Sequence, residues 1–150
     1  MKRGFTLIEL LVVISILAIL TAVLLPNMID IRQRGSDSSK KSNLNELRTA
    51  MRLFYNDYQQ FPNENSGMFA GCGGVDQYCG PGDSFEIGDT IYMQSVPEYE
   101  SYEQLNNGDG FRISIELDNS ADTEICESWN RCGVSGTCSS DETLYYVCAN

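Results

Sequence analysis

The longest apolar run in the chain extends from Phe5 to Leu25 and contains one ionisable side chain, Glu9. As a helix it would span roughly 30 Å of hydrocarbon, and a soluble core rarely needs so long a run that is apolar on every side. The pattern predicts a transmembrane helix over 5–25, followed by Pro26, which can kink a helix. A carboxylate at membrane depth costs about 2.5–3.5 kcal/mol, so we expect Glu9 to have a functional partner.

A second apolar pattern begins at Leu44, after a polar stretch over 32–43 that includes four serines. The poor helix propensity of this stretch leaves two interpretations, a linker or a continuing helix. Beyond it, apolar residues recur at spacings of three and four, which predicts one packing face of a helix. These residues are Leu44, Leu47, Met51, Phe54 and Tyr58. Ser42 or Asn43 could cap the start of this helix, and Pro62 would stop it.

The rest of the chain, residues 62–150, is rich in Gly, Asn, Ser and acidic residues. Strict alternation over 111–117 is typical of a half-buried strand, and 143–148 predict a last strand. The segment Asn106-Asn107-Gly108-Asp109-Gly110 signals a hairpin turn before the first of these. Two positions are open for a third strand, 90–96 and 99–105. The predicted fold class is α+β, with short antiparallel strands that cover one face of the helix.

The charge is divided unevenly along the chain, whose formal net charge is −11. Residues 1–53 hold 8 basic and 4 acidic side chains, whereas residues 54–150 hold 2 and 17. Such an acidic region lacks the clustered Lys and Arg that bind nucleic acid, so no direct nucleic-acid partner is expected. The absence of histidine excludes His-containing catalytic triads and His-containing zinc sites. We expect no enzyme activity, no catalytic residues and no cofactor.

Six cysteines lie beyond the apolar run, with no C-x-x-C spacing among them. An even number without histidine favours disulfides formed in an oxidising compartment, which places 63–150 outside the cytoplasm. The candidates are Cys72, Cys79, Cys126, Cys132, Cys138 and Cys148. Six cysteines allow 15 connectivities, and the spacing does not select one.

The dense acids between residues 98 and 127 are interpreted as a solvated surface, because no EF-hand spacing is present. We therefore assign no metal ligands. The acids concerned are Glu98, Glu100, Glu103, Asp118, Asp122, Glu124 and Glu127.

The N-terminal segment has two simple interpretations, a cleaved signal peptide and a plain signal anchor. Its residues are Gly4-Phe5-Thr6-Leu7-Ile8-Glu9-Leu10, preceded by the basic Lys2-Arg3. A cleaved signal peptide would need a small-x-small site, which Leu20-Thr21-Ala22 matches poorly, and a plain signal anchor leaves Glu9 unexplained. The segment closely resembles the processing site of type IV prepilins and type II secretion pseudopilins. That resemblance implies cleavage between Gly4 and Phe5, methylation of the new Phe5 amine, and apolar helices that bundle into a filament core.

The resemblance also implies a pilin-like architecture. Residues 1–4 would be the leader, 5–61 one long helix with its filament core at 5–25, and 62–150 an extracytoplasmic head. In the filament, Glu9 of one subunit would meet the Phe5 amine of its neighbour, with Thr6 in the same assembly segment. The partners implied are like subunits, a prepilin peptidase and methyltransferase, and an assembly platform in the cytoplasmic membrane, with the N-terminus in the cytoplasm.

The choice between the two classes, the disulfide pairing and the alternative function complete the expectations. The segments 55–62 and 91–97 are similar to those of pseudopilins, whereas the C-terminal cysteines and the lack of a calcium-loop pattern at 139–142 are closer to type IV pilins. The expected disulfides are Cys72–Cys79, Cys132–Cys138 and Cys126–Cys148. The alternative function is a membrane-anchored extracellular binding module that does not assemble.

Overall fold

The computed structural model describes residues 5–139 and 141–149, without the side chains of 23–30. The predicted leader, residues 1–4, lies outside the described residues. One helix, α1 (Leu7–Tyr58), runs unbroken for 52 residues. The linker interpretation of 32–43 is therefore wrong, and so is a new helix start at Ser42 or Asn43. The backbone is helical at Pro26 as well, and the kink there stays a prediction.

The chain divides into two compact units, residues 1–35 and 36–150, which we name the N-terminal unit and the C-terminal unit. Helix α1 contributes residues to both. The division into a helix over 5–61 and a head over 62–150 was drawn from the sequence on another basis, and it stays a prediction.

The C-terminal unit contains seven described strands and a second helix. They are β1 (Glu64–Asn65), β2 (Met68–Phe69), β3 (Phe85–Ile87), β4 (Thr90–Met93), β5 (Ser101–Leu105), β6 (Gly110–Glu116), α2 (Glu124–Arg131) and β7 (Leu144–Ala149). All strand pairs are antiparallel, in two hairpins, β1–β2 and β3–β4, and one three-stranded sheet of order β5-β6-β7. This α+β arrangement confirms the predicted fold class.

The predicted strands are present and others were missed. The alternating segment became β6, the last segment became β7, and both open positions for a third strand are occupied, by β4 and β5. Only β5 joins the three-stranded sheet, where Leu105 pairs with Gly110 across the predicted turn. Strands of two or three residues and the eight-residue α2 carry too few positions for a periodic signal, which is why the sequence did not predict them.

The stripe on α1 faces a core made largely of aromatic rings. Leu44, Leu47 and Met51 are fully buried, and Phe54 lies 5.5 Å from Phe85 between ring centroids. Tyr58, the last residue of the stripe, is 39% exposed because it stacks on the outer side of Phe54 at the helix end. The rest of the stripe is confirmed as a packing face.

The end of α1 is fastened to the sheet through the residues that follow it. Phe61 donates its backbone N–H to the Gly108 carbonyl at 2.8 Å. The Tyr102 hydroxyl, which is buried, donates to the Pro62 carbonyl at 2.8 Å, and Gln104 donates to the Phe61 carbonyl at 2.7 Å. The turn after α1 is thus held by hydrogen bonds from the β5–β6 hairpin.

Three disulfides join the six cysteines. Cys72–Cys79 is confirmed, whereas the other two expected pairings are wrong, since the bonds are Cys126–Cys138 and Cys132–Cys148. The position of helix α2 explains why the two other bonds differ from the expected pairings. Cys132 follows Ser128 by four residues and lies on the face of α2 that packs against β7, whereas Cys126 lies on another face of the helix and meets the loop that returns from it.

Four tyrosines of this unit have a raised pKa, which favours the neutral hydroxyl; they are Tyr92, Tyr99, Tyr102 and Tyr146. Burial raises the pKa of Tyr102, and burial with the nearby Asp83 carboxylate raises the pKa of Tyr99 to about 12. Burial and a hydrogen bond to Asp57 also raise the pKa of Tyr92. A pKa raised above the unfolded value of about 10 means that the contribution to stability is complete below that pH and is lost as the pH rises through the folded value.

We predict that the C-terminal unit loses stability as the pH rises from about 10 to 12. At about pH 11, one unit above the ordinary pKa, tyrosinate absorbance should show nearly all eight tyrosines ionised in urea-unfolded chain and clearly fewer in the folded chain. Tyr102→Phe should cost about 1 kcal/mol at neutral pH and lose less of its remaining stability on alkalinisation than the wild type. Ionisation of all eight near their ordinary pKa, with the circular dichroism unchanged, would contradict the account.

Candidate functional site

The N-terminal segment closes on itself around Glu9. Thr6 precedes the first residue of α1, and its backbone N–H and its hydroxyl donate to Glu9 Oε2 at 2.9 and 2.8 Å. In return, the Glu9 N–H donates to Thr6 Oγ1 at 3.4 Å. This is a reciprocal capping box, which satisfies free N–H groups of the first turn and places a negative charge where the helix dipole favours it.

The cap changes what Glu9 needs from a partner. We expected its carboxylate to be satisfied only by docking, but Thr6 already binds one of its oxygens within the chain. Within the part of the chain that the structure describes, Oε1 of Glu9 accepts no hydrogen bond. The capping box therefore fixes the position of the carboxylate beside Thr6, at the start of α1. The spacing Thr-x-x-Glu, from Thr6 to Glu9, is the sequence signature of a capping box and could have predicted this contact.

Helix α1 exposes a large apolar surface immediately after the cap. Eleven large apolar side chains between Leu7 and Leu20 are 47–81% exposed, and Phe5 is 74% exposed. They are Leu7, Ile8, Leu10, Leu11, Val12, Val13, Ile14, Ile16, Leu17, Ile19 and Leu20. Contiguous apolar surface of this extent marks a site of association with protein or lipid.

The polar groups of this stretch are satisfied inside the helix. The Ser15 hydroxyl donates to the Leu11 and Val12 carbonyls at 3.0 and 2.8 Å, and Thr21 donates to the Leu17 carbonyl at 2.7 Å. These hydroxyls need no partner from outside, so they do not oppose transfer of the surface into an apolar environment.

No helix among the described residues is long and apolar enough to cross a membrane.

A second polar arrangement lies in the C-terminal unit, where Asp37 on α1 binds the loop after β6. The Asp37 side chain is 2% exposed. Its two oxygens accept the backbone N–H groups of Asp118 and Asn119 at 2.7 and 3.0 Å. A buried carboxylate is tolerated when such charge-assisted hydrogen bonds replace its water, so Asp37 fixes this loop against the helix.

Two lysines extend the contact. Lys40 donates to the Glu116 carbonyl at 2.9 Å and to the Asp118 carboxylate at 2.8 Å. Lys41 donates to Asp122 at 2.5 Å and to Glu124 at 3.0 Å, at the start of α2. We name Asp37, Lys40 and Lys41, with the loop residues they bind between 116 and 124, the helix–loop clamp.

The clamp also shifts two pKa values. Hydrogen bonds from Lys40 and Ser36 hold the pKa of the exposed Asp118 carboxyl below its ordinary value. Burial lowers the pKa of Lys41, but hydrogen bonds and attraction to Asp122 and Glu124 outweigh it, and the pKa is raised. Both shifts favour the charged forms, as an ion-pair network requires.

The clamp adds ion pairs to the acidic stretch that the sequence did not predict. Asp118, Asp122 and Glu124 are paired with lysines of α1, and Glu103 is paired with Arg112, while Asp118, Glu124 and Glu103 also stay exposed to solvent. No group of three or more candidate metal ligands lies together among the described residues. The signal that could have revealed the clamp was the excess of basic residues on 32–53 beside an acidic remainder.

We predict that Asp37→Ala lowers the free energy of unfolding by about 2–3 kcal/mol, because two backbone N–H groups lose a charged, buried acceptor. Asp37→Asn, which keeps one acceptor oxygen, should lose about half as much. Ser38→Ala, an exposed neighbour on the same helix, is the matched control and should change stability by less than about 0.5 kcal/mol. Urea unfolding of the full chain in detergent measures all three, and equal effects of Asp37→Ala and Ser38→Ala would contradict the clamp.

Comparison with known proteins finds a known motif in the segment that contains the capping box and the apolar surface. The family described as "Prokaryotic N-terminal methylation motif" matches residues 1–25. The chain is 45% identical over 66 residues to the type IV major pilin protein PilA of Myxococcus xanthus, which is 42% of this chain and 30% of the relative. It is 37% identical over 68 residues to the type IV wide pilus major component PilA4 of Thermus thermophilus, covering 45% of this chain and 52% of the relative.

A relative from a secretion system matches a similar share of the chain. The chain is 30% identical over 67 residues to the type II secretion system core protein G of Escherichia coli, which is 45% of this chain and 46% of the relative. The matches span about a third to a half of the length of these three curated relatives. No solved structure matches the chain. These findings identify residues 1–25 as a prokaryotic N-terminal methylation motif and show that the chain resembles both type IV major pilins and the type II secretion core protein G.

Proposed function

We propose that the chain is a structural subunit of a type IV pilus or a type II secretion pseudopilus. The observation that carries the proposal is the exposed helical apolar surface over Leu7 to Leu20, which lies within the matched methylation motif. A surface of this kind favours association, and a filament of like subunits would bury it.

Assembly would begin with processing. A prepilin peptidase cleaves between Gly4 and Phe5, and the new Phe5 amine is methylated. The Phe5 side chain is exposed and its residue lies outside α1, which leaves the Phe5 side of the cleavage site accessible to a peptidase. Methylation keeps the amine cationic, because an alkylated amine still binds a proton at neutral pH.

Glu9 would then direct the register of packing. The capping box holds its carboxylate in place, and Oε1 accepts the Phe5 amine of a neighbouring subunit. Opposite charges at ~4 Å and an effective dielectric constant of ~20 attract by about 4 kcal/mol before desolvation is counted. Each charge is costly when unpaired in an apolar environment, so registers that pair them are favoured, as with a polar residue in a coiled coil.

The location that fits these roles is the cytoplasmic membrane before assembly and the extracytoplasmic filament afterwards. The apolar run would hold the subunit in the membrane with its N-terminus in the cytoplasm, next to the assembly platform. The three disulfides support an oxidising compartment for the C-terminal unit. The role is assembly rather than catalysis.

A membrane-anchored module that never assembles is the alternative from another class. It would account for the apolar surface, which lipid alone can cover, but it gives no role to a methylation motif or to a carboxylate fixed beside Thr6. The filament subunit accounts for all three features and is therefore the better supported function.

We predict that Glu9→Leu reduces incorporation into filaments by at least about tenfold, because an attraction worth more than about 1.4 kcal/mol is lost. The apolar substitution should leave the amount of chain in the membrane unchanged. Glu46→Leu is the matched control, since Glu46 is an exposed acid on the C-terminal part of the same helix. Quantitative blots of sheared filaments and of membrane fractions measure both quantities, and normal incorporation of the Glu9 variant would overturn the role of this residue.

A further inference from the structure

Strand β7 forms one edge of the three-stranded sheet and pairs only with β6. Its sequence, Leu-Tyr-Tyr-Val-Cys-Ala, has no charge and no proline and is rich in residues that favour strands. An edge of this composition, with unpaired N–H and C=O groups, is a template for pairing with another strand. Native proteins protect such an edge, and one way is to cover it with a helix or a loop.

Helix α2 covers this edge with its side chains. The Trp129 indole N–H donates to the Leu144 carbonyl at 2.8 Å, and the Tyr146 N–H donates to the Ser128 hydroxyl at 3.0 Å. Leu144 and Tyr146 are two residues apart, so their backbone groups point to the same side of β7, away from β6. These are the groups that an added strand would use. Ser128, fully buried, and Trp129 occupy its place.

The next residue on the same side of β7 is Cys148, and it is bonded to Cys132 at the end of α2. A helix of eight residues is too short to be stable alone in water, so α2 depends on its attachments to keep its place. The Cys132–Cys148 bond is the covalent one between α2 and β7. The second disulfide of α2, Cys126–Cys138, joins it to a loop and not to the sheet.

The opposite edge of the sheet is covered differently. On β5, the Tyr102 N–H donates to the Gly67 carbonyl of the β1–β2 turn at 2.7 Å. That contact is a backbone hydrogen bond. Of the two edges, β7 is the one whose cover is fastened by a disulfide.

We propose that α2 is a removable cover of the β7 edge, that the Cys132–Cys148 disulfide locks it, and that reduction of this bond exposes β7 to antiparallel pairing with β7 of a second copy of the chain. A thiolate of an external dithiol attacks one sulfur of the Cys132–Cys148 bond and forms a mixed disulfide with it, and the other cysteine leaves as a thiolate. The second thiolate of the dithiol then attacks its own sulfur in the mixed disulfide and releases the first cysteine. The dithiol becomes a disulfide, and Cys132 and Cys148 each leave as a thiol after taking up a proton. The two electrons and two protons of the dithiol thus pass to the cysteines.

A second copy is the occupant that the edge fits. Two β7 strands can pair about a two-fold axis because each supplies the same hydrogen-bonding groups, and no like charges meet across the pair. This inference concerns the C-terminal unit and does not rest on the proposed function.

The test uses full-length chain in detergent with Cys132→Ser/Cys148→Ser, and Cys72→Ser/Cys79→Ser as the matched control that removes one disulfide elsewhere. In dilute samples, hydrogen exchange at the Tyr146 amide should be at least about tenfold faster in the Cys132/Cys148 variant than in the control. At high concentration the same amide should become protected again as dimers appear in sedimentation, because a second β7 then accepts its hydrogen bond. Adding Tyr146→Glu, which places like charges opposite each other in a pair, should keep the opened chain monomeric.

Mild reduction of wild-type chain by dithiothreitol gives the second measurement and needs no substitution. It should reproduce the concentration-dependent protection of the Tyr146 amide. Three results would overturn the proposal. They are exchange at Tyr146 as slow as in the control, fast exchange at every concentration without dimers, and loss of protection throughout β6, which would mean that the bond holds the sheet itself and not a cover.

Discussion

An α-helix satisfies its backbone hydrogen bonds internally, and this constraint allows one continuous helix to serve two environments. Along α1 the backbone is the same from Leu7 to Tyr58, so side chains alone decide what each part contacts. The first part is apolar on every side and exposed, with its few hydroxyls bonded to its own carbonyls. The last part is apolar on one stripe, which the aromatic core of the C-terminal unit covers. The proposed assembly and the folding of the C-terminal unit would thus use separate surfaces of one element.

The charged residues also differ between the two parts of α1. Glu9 is the acid of the apolar run, and the capping box holds it at the helix start. In the C-terminal unit, Asp37, Lys40 and Lys41 turn part of a large acidic excess into contacts that fasten the loop before α2. Lysines and a buried carboxylate on α1 fix this loop together with Leu117, which is buried in the core.

The sequence predicted the features that depend on long periodic patterns. The stripe from Leu44 to Phe54, the strands β6 and β7, and the turn between β5 and β6 all repeat a simple spacing or a turn motif. It failed where tertiary partners decide. The polar stretch over 32–43 reads as a linker until the Asp118 and Asn119 amides are known to bind Asp37. The C-terminal disulfides depend on α2, a helix whose eight residues carry little signal of their own.

The sequence predicted which residues form the candidate site, but not the hydrogen bonds between them. Phe5, Thr6 and Glu9 follow from the motif, yet the reciprocal bonds that make them one structural unit appear only in the structure. The central claim, that the chain is processed to begin at Phe5 and then assembles, is tested most directly by the mass of its N-terminal peptide in cells with and without prepilin peptidase. The account predicts a peptide that starts at Phe5 with one added methyl group, and an unprocessed N-terminus when the peptidase is absent. An unprocessed N-terminus in cells that contain the peptidase would contradict it.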